Sequence, residues 1–519
     1  MKAFWSTLPF LGFVSILFGQ PGQLDATFNT TGKVTTHIAG YNVDNSGLLI
    51  QEDGKILVCG TAETTTNARD MVIARYSSNG HLDSSFNQTG ILVIDVLGKI
   101  DYCYAMALQQ DGKILLTGIA TLLTNERKTV IIRLLEDGSF DDTFGNNGMA
   151  FNLPDHNAEN PKAIMSLADG KIIVAGSIEA NLANPICAVF KYNDDGTSDQ
   201  NFGIQGLAMA TVPGGYNPSF GIVQPDGKII TGGFLLGLNT EIIMLRFSPQ
   251  GIIDSTFGNN GIVQTAYPNE THFGYSIILQ PDHKILMVDG ITHGGKRDFC
   301  MLRYAENGVL DSTFGIYGRV ITAMSTGSNT AHAISVQEDQ KIILAGFLGI
   351  KPHHDIAIAR YNSNGTLDPD FGAGGKVISD FGLDDLAFTM AIQADKKIVV
   401  AGFSIDNTEN SDFVVARYWS GLETVGTKDP LSEIHHVTLY PNPVKKETTL
   451  KYYLPVDQPM TIRLYNLSGQ LIQSFFENKQ RGQGEHQEKL ILRSDLPKGI
   501  YMLVLETNNS KTPVSFILQ

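Results

Sequence analysis

The chain has 519 residues, too many for one ordinary compact core, so it calls for several domains or a closed array of repeats. Its 42% hydrophobic and 18% charged residues exclude a disordered chain, and its 53 glycines favour a β-rich fold with many tight turns. A net charge of −15 without any basic run argues against nucleic acid as a partner, because phosphate binding needs clustered Lys and Arg.

Residues 1–20, MKAFWSTLPFLGFVSILFGQ, place one Lys before an apolar stretch too short to span a bilayer. This reads as a secretory signal cleaved near Gly19 or Gln20. No later segment approaches 18 apolar residues, so the mature chain is expected to carry no transmembrane segment. Cys59, Cys103, Cys187 and Cys300 have no CxxC spacing, so neither a zinc site nor a dense disulfide framework is expected. Cys187 and Cys300 lie in apolar runs and read as small buried hydrophobes, while a bridge between Cys59 and Cys103 stays open.

Residues 21–420 repeat. A QxDGKI-type turn recurs with its Asp at Asp53, Asp111, Asp169, Asp226, Asp282, Asp339 and Asp395, 56 to 58 residues apart. About 22 residues later comes a basic residue: Arg75, Arg133, Lys191, Arg246, Arg303, Arg360 or Arg417. A third element, LDxxF in its clearest copies, has its Asp at Asp25, Asp83, Asp141, Asp199, Asp254, Asp311 and Asp368. Each period holds four short β-type runs, such as LLIQ, KILVCG, MVIARY and ILVIDV within residues 48–96. Four strands per period make one antiparallel sheet that cannot bury both faces alone, so the copies must stack.

The phase of the repeat selects a ring. The seventh copy ends at ARYWSG near residue 420 without its LDxxF loop and fourth strand, and the missing piece, GQLDATFNTTGKV, stands at residues 22–34. An open solenoid gives no reason for that arrangement, whereas a closed ring lets the first strand complete the last sheet and removes an exposed edge. The expected fold is therefore all-β: a seven-bladed β-propeller closed by an N-terminal strand. The units NGHLDSSFNQTG, EDGKILVCG and NSNGTLDPDFGAGGKV resemble the delta-60 repeat of bacterial surface proteins, across all seven copies. That resemblance implies a propeller-like array in an exported protein and supplies no catalytic residues.

The period stops after residue 420, and residues 421–435 are polar enough for a linker. Residues 436–519 hold about seven short strands punctuated by PNP, SG and KG, which points to a small β-sandwich. The motifs YPNP (Tyr440, Pro441, Asn442, Pro443), LYNLSGQ (464–470) and LPKGIY (496–501) make this segment resemble the type A C-terminal sorting domain of the type IX secretion system. The terminus SFILQ departs from many members in lacking a final basic residue. The resemblance implies a Bacteroidetes-type bacterium, the type IX machinery as partner, and a secreted or cell-surface destination.

In a propeller the QxDGK turns and LDxxF loops share one face. Their repeated residues, Asp25, Asp83, Asp141, Asp199, Asp254, Asp311 and Asp368 with Arg75, Arg133, Arg246, Arg303, Arg360 and Arg417, read as turn caps and blade-locking ion pairs. Each LDxxF loop offers only one or two carboxylates, too few to read as a calcium site. The connections on the opposite face differ in every copy, and loops on a rigid scaffold are where binding evolves, so that face and its central opening are the candidate site. Its candidates are Tyr102, Tyr216, His272, His293, Asp298, His332, His353, His354 and Asp355, of which the histidines fall in the fifth and sixth copies. They follow no fixed metal-ligand spacing, and no GxSxG, P-loop or strand-to-helix GxGxxG is present, so no metal, cofactor or catalytic residue is assigned. The expected function is binding of a glycan or a protein through the variable face. The alternatives are a glycosidase or lyase on the propeller and a structural surface component, and a pair of carboxylates roughly 5 to 10 Å apart in a deep pocket would favour a glycosidase.

Overall fold

The computed structural model describes residues 19–518 apart from 39–40, 65–68, 97, 123, 125, 152–158, 180–184, 213, 236–239, 352, 383, 407–408, 423–434, 455, 467–469 and 508–510. Residues 1–18 of the expected signal, and most of the expected linker, therefore lie outside the described residues. The chain forms two compact units, one ending at Leu422 and one beginning at Glu423. Among the described residues there is no helix.

The first unit is a seven-bladed β-propeller of antiparallel sheets. The first strands of the blades are Gly47–Ile50, Asp101–Leu108, Glu159–Ser166, Tyr216–Val223, Gly274–Leu279, Asn329–Val336 and Asp384–Ile392. Blade 7 gains its fourth strand from the N-terminus. Lys33–Thr36 runs antiparallel to Ser411–Tyr418, with Lys33 opposite Ala416 and Thr36 opposite Phe413. Upstream, the Asp25 amide donates to the Arg417 carbonyl (2.8 Å) and the Trp419 amide to the Gln23 carbonyl (2.9 Å). Closure of the ring thus rests on residues 22–36.

The repeated motifs act locally in the same way in each copy. The side chain of each QxDGK Asp accepts the amide of the Lys two residues on, at 3.1 to 3.3 Å in all seven blades, an Asx turn that holds the hairpin. The next position is left-handed. Gly fills it in four copies, for example Gly54 at φ 82°, and His283, Gln340 and Lys396 take it in the others.

The repeated Arg and Asp meet at 2.7 to 2.9 Å in six blades, with the guanidinium 4.2 to 4.9 Å from the centre of the LDxxF Phe ring. The same guanidinium reaches the next blade: Arg246 donates to the Glu306 carbonyl (2.6 Å) and Arg303 to that of Ser363 (2.8 Å). Arg417 bonds Asp25 and donates to the Ser78 carbonyl in blade 1, so the closing blade uses the same clasp. In blade 3 the clasp is Lys-based, with Asp199 2.9 Å from Lys171 and 3.9 Å from Lys191.

Six of the seven first strands carry a β-bulge at one place, between residues such as Cys103 and Ala105 or Ala387 and Thr389. In blade 1 pairing is interrupted at the same level, between Val43 and Gly47. In six blades a glycine of the second strand stands against the irregularity, and in blade 5 that position is Asp289, opposite Gly274. A Cβ on Gly402 would sit 1.6 Å from the Leu386 carbonyl oxygen, and one on Gly118 1.7 Å from that of Tyr102. The missing Cβ lets the first strand fold inward.

The second unit is a sandwich of a three-stranded sheet (His435–Tyr440, Glu447–Leu454, Gly484–Ile491) and a four-stranded one (Gln458–Asn466, Leu471–Arg481, Gly499–Thr507, Lys511–Leu518). Leu450, Leu454, Met460, Ile462, Leu464, Leu503 and Leu505 are fully buried between them. The YPNP segment holds the last strand: Asn442 Oδ1 accepts the Ile517 amide (3.1 Å), and the buried Val444 donates its amide to the Ile517 carbonyl (2.7 Å). Tyr440 is 80% exposed.

Candidate axial binding site

The six inward bulges and the break in blade 1 present one side chain per blade to the propeller axis: Ser46, Tyr104, Lys162, Ser219, Tyr275, His332 and Phe388. All seven line one cavity of about 570 Å³, which also takes in Asn217 and Thr389. It lies in the half of the channel nearer the variable face, since each bulge is near the start of its strand. A second cavity of about 590 Å³, lined mainly by aliphatic residues such as Leu49, Ile278 and Val336, continues toward the turn face.

The walls of the axial cavity differ. On the side of blades 5 to 7 the rings of Tyr275, His332 and Phe388 pack in series, with centroids 4.2 and 4.8 Å apart. Phe347 and Phe403 back them at 5.3 and 5.4 Å. Burial, with the charge of Arg297, holds the His332 imidazole neutral, its pKa down at about 3. It is therefore a flat apolar ring with one donor and one acceptor at neutral pH.

On the side of blades 2 and 3, Lys162 lies with Nζ 3.7 Å from the centre of the Tyr104 ring, and the Tyr104 and Tyr102 rings are parallel at 5.9 Å. Burial, then Arg127, pulls the Lys162 ammonium down to about 8, against an opposing pull from Asp44. Lys162 is the charged residue among the cavity's described lining, which holds no Asp or Glu.

The candidates from sequence scatter around this site. His332 lines the cavity, and His354 stands behind it against Phe347 (5.2 Å) with Nδ1 2.7 Å from Asp384 Oδ1. Tyr102 stacks behind Tyr104, its hydroxyl accepting from Arg69. Asp298 accepts the Asn329 side-chain amide (3.0 Å), His353 is exposed, and burial together with Asp380 and Asp385 raises the Asp355 pKa.

Two candidates are enclosed, which corrects their reading as ligand contacts. Tyr216, 1% exposed, packs in the core between blades 3 and 4. His272, fully buried, pairs with Asp289 (2.6 Å), while its Nε2 lies 3.3 Å from Glu270, itself bound by Arg319. His293 ends a strand of blade 5, and its side chain lies outside the described residues.

Ser46, Tyr104, Lys162, Ser219, Tyr275 and Phe388 were not among the candidates. A signal for them exists in the sequence, because each stands seven residues before the Asp of its QxDGK turn.

A bladed ring whose repeated residues clasp neighbouring sheets while one varied residue per blade faces the axis defines a repeat-built β-propeller. The chain is such a propeller followed by a type IX sorting domain: seven stretches, 51–86, 109–144, 167–202, 224–257, 280–314, 337–371 and 393–430, match the family described as a domain of unknown function (DUF5122) beta-propeller. Residues 438–519 match the secretion system C-terminal sorting domain, which marks the chain for secretion or the cell surface. None of the curated proteins matches.

Similar solved structures include a protein of unknown function from Dyadobacter fermentans (12% identity, 74% of this chain and 97% of that one, TM-score 0.43). They also include the polysaccharide lyase Uly1 (9%, 74% and 91%, 0.46) and a fungal alcohol oxidase in complex with copper (12%, 96% and 99%, 0.43). At these TM-scores the likenesses carry no weight for activity.

Proposed function

We propose that the chain is a secreted or cell-surface binding protein whose axial cavity takes a glycan of acidic character. One observation carries the reading: seven inward-facing residues, one per blade, surround the cavity with an aromatic wall of Tyr275, His332 and Phe388 facing a wall that holds Lys162 and no described carboxylate. Aromatic rings stack on the apolar faces of sugar rings, while Ser46, Asn217, Ser219 and Thr389 supply hydroxyl and amide partners. Lys162 supplies charge for a uronate or sulfate. Export of such a binder fits the sorting domain, and a signal at residues 1–20 would deliver the chain to that machinery.

Probing the purified chain against an array of neutral and acidic glycans tests this. Binding to an acidic glycan is expected, reduced in both Tyr275→Ala and Lys162→Met; absence of any bound glycan, or binding that neither variant alters, sinks the proposal.

A second reading, elimination from an acidic glycan, draws on Lys162 and Tyr104. An amine with a pKa of about 8 can take a proton near neutral pH, and Tyr104 beside it could serve the leaving oxygen. Appearance of an unsaturated, ultraviolet-absorbing product from the bound glycan would establish it.

A further inference from the structure

Asp70 opens the third strand of blade 1, Asp95 follows its fourth strand, and Asp101 opens the first strand of blade 2. One carboxylate oxygen from each lies within 4.8 Å of the others, on the variable face where the two blades meet. Oxygens bound to one calcium ion at about 2.3 to 2.6 Å span up to about 5 Å, so one ion could touch all three.

Asp101 supplies a separate indication. It is fully buried, and its Oδ1 has no hydrogen-bond partner. Its Oδ2 accepts the Val96 amide (2.7 Å), and the Thr121 amide, which donates to the Ile100 carbonyl (3.2 Å), also acts on the carboxyl group. Asp70 and Asp95 bring two further carboxylates beside it, and a carboxylate oxygen buried without a partner is costly. Tyr41 donates its hydroxyl to Asp70, adding a fourth oxygen beside the group.

The other junctions show how the fold treats an acid at the Asp70 position. Between blades 7 and 1, Asp412 faces His37, 2.7 Å away. Between blades 5 and 6, Asp298 receives the Asn329 amide, Asn329 standing where blade 2 has Asp101. Between blades 6 and 7 the acids Asp355, Asp380 and Asp385 recur, with Phe381 donating its amide to Asp385 Oδ2 (2.7 Å) as Val96 does to Asp101. There the charge of Lys33, held over the Phe381 ring at 4.0 Å, acts on Asp385. Among the described residues, no Lys, Arg or His forms an ion pair with Asp70, Asp95 or Asp101.

We propose that Asp70, Asp95 and Asp101 hold a divalent calcium ion that ties blade 1 to blade 2. The donors are all hard oxygens, the set that selects calcium over zinc or copper, and the ion takes the part that His37, Asn329 and Lys33 play at other junctions. This inference is independent of the axial cavity.

The test is titration of the purified, EDTA-treated full chain with calcium chloride, followed by calorimetry and thermal melting. One calcium per chain is expected, with a dissociation constant of about 10⁻⁴ to 10⁻³ M as in extracellular modules. A calcium-dependent rise in melting temperature is expected with it. Asp95 is exposed, so Asp95→Asn should leave the fold intact and weaken binding at least tenfold, while Asp355→Asn leaves binding unchanged. Asp101→Asn should melt higher than wild type without calcium, because repulsion is relieved, and gain nothing from the ion. No binding at millimolar calcium, or binding that Asp95→Asn leaves intact or Asp355→Asn abolishes, overturns the proposal.

Discussion

The two faces of the propeller treat the same backbone in opposite ways. On the turn face one set of residues makes one set of bonds blade after blade: an Asx turn in all seven, an Arg–Asp clasp in six and a lysine version in the other. Toward the variable face, the first strand breaks its pairing at one level in every blade, by a bulge in six and by an interruption in blade 1, while the residue it presents changes from Ser46 to Tyr104 to Lys162 and onward. Constancy of bonding marks what holds the ring. Constancy of position with changing chemistry marks what the ring displays.

The largest expected effect comes from breaking the repeated face at its closure. Deleting residues 22–36 removes the fourth strand of blade 7 and the Asp25 half of the Asp25–Arg417 clasp, leaving Arg417 without its carboxylate. With about 1 kcal/mol net per hydrogen bond and a buried charge left unpaired, the loss is about 5 kcal/mol or more, read by calorimetry as a much lower melting temperature. A truncated chain that melts like the full one would remove the basis for ring closure.

Within one clasp, Arg303→Ala leaves Asp311 enclosed without its guanidinium and should cost about 3 kcal/mol in denaturant unfolding. The pH dependence has a defined sign. Burial works to raise the Asp311 pKa, but hydrogen bonds from Thr313 and the charge of Arg303 outweigh it and hold the value at about 2. A carboxylate depressed in the folded state contributes stability that is complete above its unfolded pKa of about 4 and lost as pH falls toward 2. In Arg303→Ala that acid-side loss should shrink.

Gly402→Ala tests the backbone device of the variable face. Its Cβ would meet the Leu386 carbonyl oxygen, so the bulge must move, at about 2 kcal/mol. Gly382→Ala, in an exposed loop where a Cβ meets nothing within 4 Å, should stay within about 0.5 kcal/mol. Equal effects would mean that the bulge imposes no constraint.

The smallest effect on stability and the clearest on binding belongs to Lys162→Met. A lysine whose folded pKa is lowered to about 8 opposes folding while charged, so the substitution should not lower the melting temperature. Affinity for an acidic glycan in the wild type should fall as pH rises through about 8, and in Lys162→Met that dependence should disappear.

The fold was readable because its closure and turns are written in particular residues at fixed phase: the QxDGK Asp, the clasp Arg, and the orphaned GQLDATFNTTGKV. The candidate site was much less so, with His332 alone of the seven axial residues recognised. A bulge adds a residue without constraining its type, so Ser46 and Phe388 have nothing in common except their distance from a turn. The constraint falls on the opposite strand, on the glycine ending runs such as KILVCG and KIILAG, which looks like ordinary strand punctuation until the bulge is seen. Tyr216 misled for the converse reason. An aromatic residue after a variable loop resembles a binding residue, but packing between blades encloses it.

The central claim is that the varied bulge residues form one ligand site. Isothermal titration of the tightest-binding array glycan against the wild type, Phe388→Ala and Lys162→Met tests it most directly, because these residues lie in different blades and share only the axial cavity. Both variants should weaken binding about tenfold or more while melting within a few degrees of wild type. Wild-type affinity in both would contradict the claim.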